Sequence, residues 1–141
     1  AIDPTRFFGQ RLLIYLLTGR AVDALRVLEQ RGAAVGGQQE PWFLLLRCDV
    51  YMNIGRYADA IADCERATAG ETFYLVWLSL AAAYGQTDQL EKAVKAKDEL
   101  LRRVPSFTIS RSAAKWALHE IYASAMREHF YPGLRKAGVP E

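Results

Sequence analysis

The chain has little of what usually announces a chemistry. Its 141 residues hold two cysteines, two methionines and two histidines. Two cysteines are too few for a disulfide scaffold. The histidines, His119 and His129, stand ten residues apart. On one helix that is about 80° off a common face, a poor metal pair. His119 beside Glu120 reads as a surface or interface residue rather than a general base. A net charge of +2 lacks the one-sided field of a nucleic-acid binder. There is no Gly-rich loop with Lys, no H-E-x-x-H and no G-x-S-x-G. No catalytic residue, metal site or cofactor is therefore expected, and the chain reads as non-enzymatic.

Long apolar runs are also missing. The longest, from Phe73 to Tyr84, is broken only by Ser79. As a helix it reaches about 18 Å, short of the roughly 30 Å hydrocarbon core, so a buried helix is expected and no membrane span. No basic segment followed by an apolar stretch opens the chain, so no signal peptide is expected. The start Ala1-Ile2-Asp3-Pro4, without Met, suggests a piece of a longer protein. Unpaired thiols and no leader predict a cytoplasmic setting. Cys48 and Cys64 read as two small buried thiols packing one helix against the next; a disulfide is the alternative, because both face the same interface.

What is present is an ordinary globular composition, 51% apolar and 24% charged, with enough apolar surface to offset ordering entropy, and an internal repeat. Tyr15, Tyr51 and Tyr84 each lie nine residues before an alanine: Ala24, Ala60 and Ala93. Four residues after each Tyr stands a turn residue: Gly19, Gly55 and Asp88. The Tyr-to-Tyr steps of 36 and 33 residues bracket the roughly 34-residue period of a helix–turn–helix solenoid. The turn calls for a left-handed or capping conformation, and the alanine lets the paired helices cross closely. One such pair cannot bury its apolar face alone, so neighbours must stack.

The third segment reads Trp77-x2-Leu80-Ala81-x2-Tyr84, then Ala93, then Pro105. It resembles a tetratricopeptide (TPR) repeat, W-x2-L-G-x2-Y…A-x3-F…P, with Ala81 for Gly and Lys97 for the aromatic. The second segment keeps Tyr51, Gly55, Tyr57, Ala60 and Ala67; the first keeps Tyr15, Gly19 and Ala24. The resemblance spans about residues 5 to 107. It implies an all-α, right-handed superhelix of three helix pairs (about 5–38, 41–73 and 74–107) in a single domain over 1–141. Helices are predicted over about 4–18, 20–31, 41–54, 57–69, 73–85 and 88–103. Asp3, Thr72 and Asp88 are the expected N-caps, Gly32–Gln39 a loop, and Gly70 a stop. A capping helix over about 110–130 follows, started by Ser110. Tyr131-Pro132-Gly133 should break it and leave a short basic tail, 131–141. The residues 101–141 carry seven Lys/Arg against three Asp/Glu, and 41–100 carry six against nine; both read as solvated surface.

The resemblance also implies a concave groove lined by the first helix of each pair. Its expected partner-binding residues are Leu13, Leu16, Leu17, Leu45, Asp49, Met52, Asn53, Leu78, Ala82 and Gln86, with Gly9 and Gly85 alongside. TPR domains that bind chaperone tails grip a carboxylate with Lys, Asn and Arg there. Here Gly9 and Leu13, Leu45 and Asp49, Leu78 and Ala82 stand instead, so that clamp is absent. So apolar a groove predicts a cover: a partner helix, a second copy, an upstream domain or the chain's own tail. A second resemblance joins Pro105-Ser-Phe-Thr-Ile-Ser-Arg111 with Gly133-Leu-Arg-Lys-Ala-Gly-Val-Pro-Glu141. Together they are similar to the chain ends of bacterial class III adenylate/guanylate cyclases with C-terminal TPR arrays. That implies the regulatory end of a signalling protein. The function expected is protein–protein interaction or oligomerisation. The alternatives are a non-catalytic segment required by a cyclase, or a small-ligand sensor in the groove.

Overall fold

The computed structural model describes residues 4–34, 40–69 and 73–141. It is all-helical, with 80% of the described residues in helix and no strand among them. Six helices form three successive hairpins: α1 (Pro4–Leu17) with α2 (Ala21–Ala34), α3 (Pro41–Asn53) with α4 (Tyr57–Ala67), and α5 (Tyr74–Gln86) with α6 (Leu90–Arg103). Within each hairpin the helices pack side by side, and α2 stacks on α3 and α4 on α5. The first helices also meet, α1 on α3 and α3 on α5.

The hairpins share one turn. Gly19, Gly55 and Asp88 have φ of 75°, 76° and 58°. In each turn the following N–H folds back onto the repeat tyrosine's carbonyl: Arg20 to Tyr15 at 2.7 Å, Arg56 to Tyr51 at 2.9 Å and Gln89 to Tyr84 at 2.8 Å. This bond fixes the Tyr-to-turn spacing. Glycine adopts the left-handed conformation freely, whereas Asp88 does so at a cost. Ala24, Ala60 and Ala93 are fully buried, as a close crossing requires. Apolar patterning sets each helix's surroundings. In α6 Ala93, Ala96 and Leu100 face inward and the charged residues outward. In α5, Leu78 through Gly85 are all buried, because helices cover it on both sides.

The C-terminal region departs from the sequence reading. Instead of one helix over 110–130 there is α7 (Ile109–Trp116), a turn, then α8 (Glu120–Ala125), which runs through a π-helical turn (Met126–Phe130) into α9 (Tyr131–Ala137). The turn folds α8 back so that Tyr122 packs on Trp116, ring centroids 4.4 Å apart. Tyr131-Pro132-Gly133 does not break the helix; it opens α9, and the expected basic tail is helical to Ala137. Thr108, not Ser110, caps α7, accepting the Arg111 N–H at 3.1 Å. Gln89, not Asp88, is the N-cap of α6, because Asp88 is spent on the left-handed turn. The second helix runs past its expected stop, through Gly32 to Ala34. The expected roles of Asp3, Gly36, Gly37, Gly70 and Thr72 lie outside the described residues.

Candidate functional site

The concave face divides into a filled half and a hollow half. In the filled half, α9 lies along α5. Ala82 and Gly85 give α5 a side with almost no side chain, and both are buried. A Cβ on Gly85 would stand 2.1 Å from the Gly133 carbonyl oxygen, and one on Gly133 would stand 2.0 Å from the Ala82 carbonyl oxygen. The two backbones touch, so neither glycine can be replaced without separating the helices. Pro132 has no N–H, which leaves the carbonyl four residues back without its helical donor. That carbonyl belongs to Glu128, and the Gln86 side-chain amide donates to it at 3.1 Å and to the His129 carbonyl at 3.0 Å. In the π-helical turn the Tyr131 N–H reaches back to Met126.

The same segment visits every hairpin turn in order. Ile121 packs against Gly19 and His129 against Gly55, and the Lys136 ammonium pairs with Asp88 at 2.8 Å. His129 Nδ1 also shares a hydrogen bond with the Tyr57 hydroxyl at 2.7 Å. The last residues then return to α7: the Ile109 and Ser110 N–H groups donate to the Pro140 and Glu141 carbonyls at 2.9 and 3.1 Å. Of the expected partner-binding residues, Met52, Ala82 and Gln86 are therefore not open to a partner, since Met52 and Ala82 are fully buried and Gln86 is bonded to the chain's own C-terminal segment. Asn53 turns back to donate to the Asp49 carbonyl at 2.8 Å. Leu17 packs against the core.

The hollow half is a cavity of about 500 Å³. Leu13, Leu16, Leu45, Asp49 and Leu78, five of the ten expected groove residues, line it together. The far wall is supplied by α7, α8 and the π-helical turn, whose apolar periodicity marked a capping helix without showing which face it would cover. Asp49 is the acid of the cavity. Its carboxylate makes no hydrogen bond and no ion pair among the described residues, and burial pushes its pKa up from 3.8 to about 6. The Tyr122 hydroxyl is held protonated, first by burial and then by the Asp49 charge.

Two cross-links brace the second hairpin beside the cavity. Arg47 and Asp63 form a forked ion pair at 2.6 and 2.8 Å. Cys48 and Cys64, each one residue further on, form a disulfide with Cα atoms 5.7 Å apart. The reading as two buried thiols is thereby corrected. Both side chains do face one interface, and at that separation they bond. The expectation of a reducing compartment loses its premise. No helix among the described residues is long and apolar enough to cross a membrane, and no group of three or more His, Cys, Asp and Glu among them could hold a metal.

No family model, no curated protein and no solved structure matches the chain.

Proposed function

We propose that the chain is a non-catalytic, TPR-like protein-interaction module, and that its concave face recognises an apolar helix. The supporting observation is the seat of α9 on α5. A glycine-lined stripe and the Gln86 amide accept a kinked, apolar helix, and the C-terminal segment occupies that seat in cis. A partner helix, or the same segment of a second copy, binds by displacing it. The module is regulatory in this reading, because the α5 seat is exposed only when the segment leaves. The stretches that resemble cyclase chain ends meet through the Ile109 and Ser110 hydrogen bonds to Pro140 and Glu141. This contact supports a place at the end of a longer signalling protein, whose catalysis would lie elsewhere. Nucleic acid and membrane are not its partners in this reading.

The 141-residue chain with Gly133→Leu, which forces α9 off α5, is expected to bind a labelled peptide of residues 126–141 with micromolar affinity by fluorescence anisotropy. The unaltered chain should bind it at least tenfold more weakly. If the variant also exchanges segments between copies, light scattering will show a dimer. Equal peptide affinity in both chains, with both monomeric, would refute the proposal.

A further inference from the structure

The cavity is not the seat of α9, and its chemistry points to a different kind of ligand. Its volume of about 500 Å³ falls within the range of small-molecule sites. Leucines from α1, α3 and α5 line one side; Tyr74, Phe107, Trp116, Tyr122 and Phe130 contribute aromatic groups. Into this apolar space Asp49 presents a carboxylate without a partner among the described residues. Elsewhere the chain's buried or half-buried acids are matched: Asp63 by Arg47, Asp23 by Arg20 and Arg26, Glu99 by Arg102 and Arg103. Asp49 is half-buried and its unbonded oxygens open onto the cavity, so a ligand that enters can reach them.

We infer that the cavity binds a small organic cation, an amine or quaternary ammonium with an apolar body, whose charged nitrogen pairs with Asp49. A carboxylate in a cavity with aromatic groups in its lining favours an organic cation over a hydrated metal ion, because ring faces attract the diffuse charge and the walls bury the body. The cavity's own cations do not fill the role. Arg111 is exposed and bonded to the Ser106 carbonyl at 3.2 Å. Lys115 is exposed, with its ammonium 5.1 Å from the Trp116 ring. The titratable groups facing Asp49 are thus Tyr74 and Tyr122 within, and Arg111 and Lys115 among the lining of α7.

Isothermal titration of the full chain with octylammonium and benzyltrimethylammonium, against octanol and octanoate, tests the inference. At pH 8 both cations should bind in the micromolar range, at least tenfold tighter than octanol. Asp49→Asn, checked for folding by its melting curve, should lose at least tenfold for the cations and nothing for octanol. In the unaltered chain, affinity for benzyltrimethylammonium, which does not titrate, should fall several-fold between pH 7 and pH 5 as Asp49 takes up its proton. The inference is overturned if the cations do not bind, if octanol binds as tightly, if Asp49→Asn changes nothing, or if octanoate is preferred through Arg111 and Lys115.

Discussion

Asp49 shows how one residue can carry a function at the expense of stability. Its pKa rises from 3.8 to about 6 because burial disfavours the charge. The folded state therefore holds this proton more tightly than the unfolded chain does. Its stabilising share is complete below about pH 4 and is lost as the pH rises toward 6. A shift of about 2 units corresponds to roughly 3 kcal/mol; because the carboxylate borders a cavity that admits solvent, about 1–2 kcal/mol is expected. Asp49→Asn should thus be more stable than the unaltered chain at pH 7 by that amount. The gap should close by pH 4 in urea titrations of both chains. An equal gap at both pH values would show that the amide stabilises by packing instead.

At the scale of elements, the second hairpin is the cross-linked one. The forked Arg47–Asp63 pair and the Cys48–Cys64 bond join α3 to α4 at adjacent positions, and Asp63 is almost fully buried. Closing a loop of 16 residues contributes about 3 kcal/mol by constraining the unfolded chain. Cys48→Ser should lower stability by that order in oxidising buffer. Under reducing conditions it should match the unaltered chain, since both then lack the bond; chemical denaturation with and without dithiothreitol reads this directly. The cysteine pair was visible in the sequence as two inner positions on facing helices. What the sequence left open was their separation, which depends on the crossing of α3 and α4 and so on residues such as Ala60 that contain no sulfur.

The whole molecule is held closed by its own end. The segment from α8 to α9 crosses all three hairpin turns, touching Gly19, Gly55 and Asp88 through Ile121, His129 and Lys136. Its energy comes from burial: Phe130 and Leu134, both nearly inaccessible, contribute about 1.5–3 kcal/mol each, whereas the exposed Lys136–Asp88 pair adds under about 1 kcal/mol. Gln86 is the polar catch. Gln86→Leu removes the amide that donates to the Glu128 and His129 carbonyls and should cost about 1–3 kcal/mol. Hydrogen exchange should quicken over 126–137 while the first two hairpins stay protected; uniform quickening would mean that the segment is not a separate cooperative unit.

By itself the sequence determined the helices, the hairpins and their turns, because those are decided within a few residues: the Tyr15, Tyr51 and Tyr84 carbonyls, the left-handed residue four places on, the buried alanine five beyond that. It also marked α5 as a helix apolar on every side, and so one that must be covered. Only the tertiary structure decided what covers it. Pro132 and Gly133 read locally as a break, and the groups that make a helix possible there, Gln86 and Gly85, lie more than 40 residues away in sequence. Asp49 likewise read as one groove residue among ten. Its isolation is a property of the walls that α7 and α8 close around it, and an unpaired charge can be recognised only once its neighbours are known.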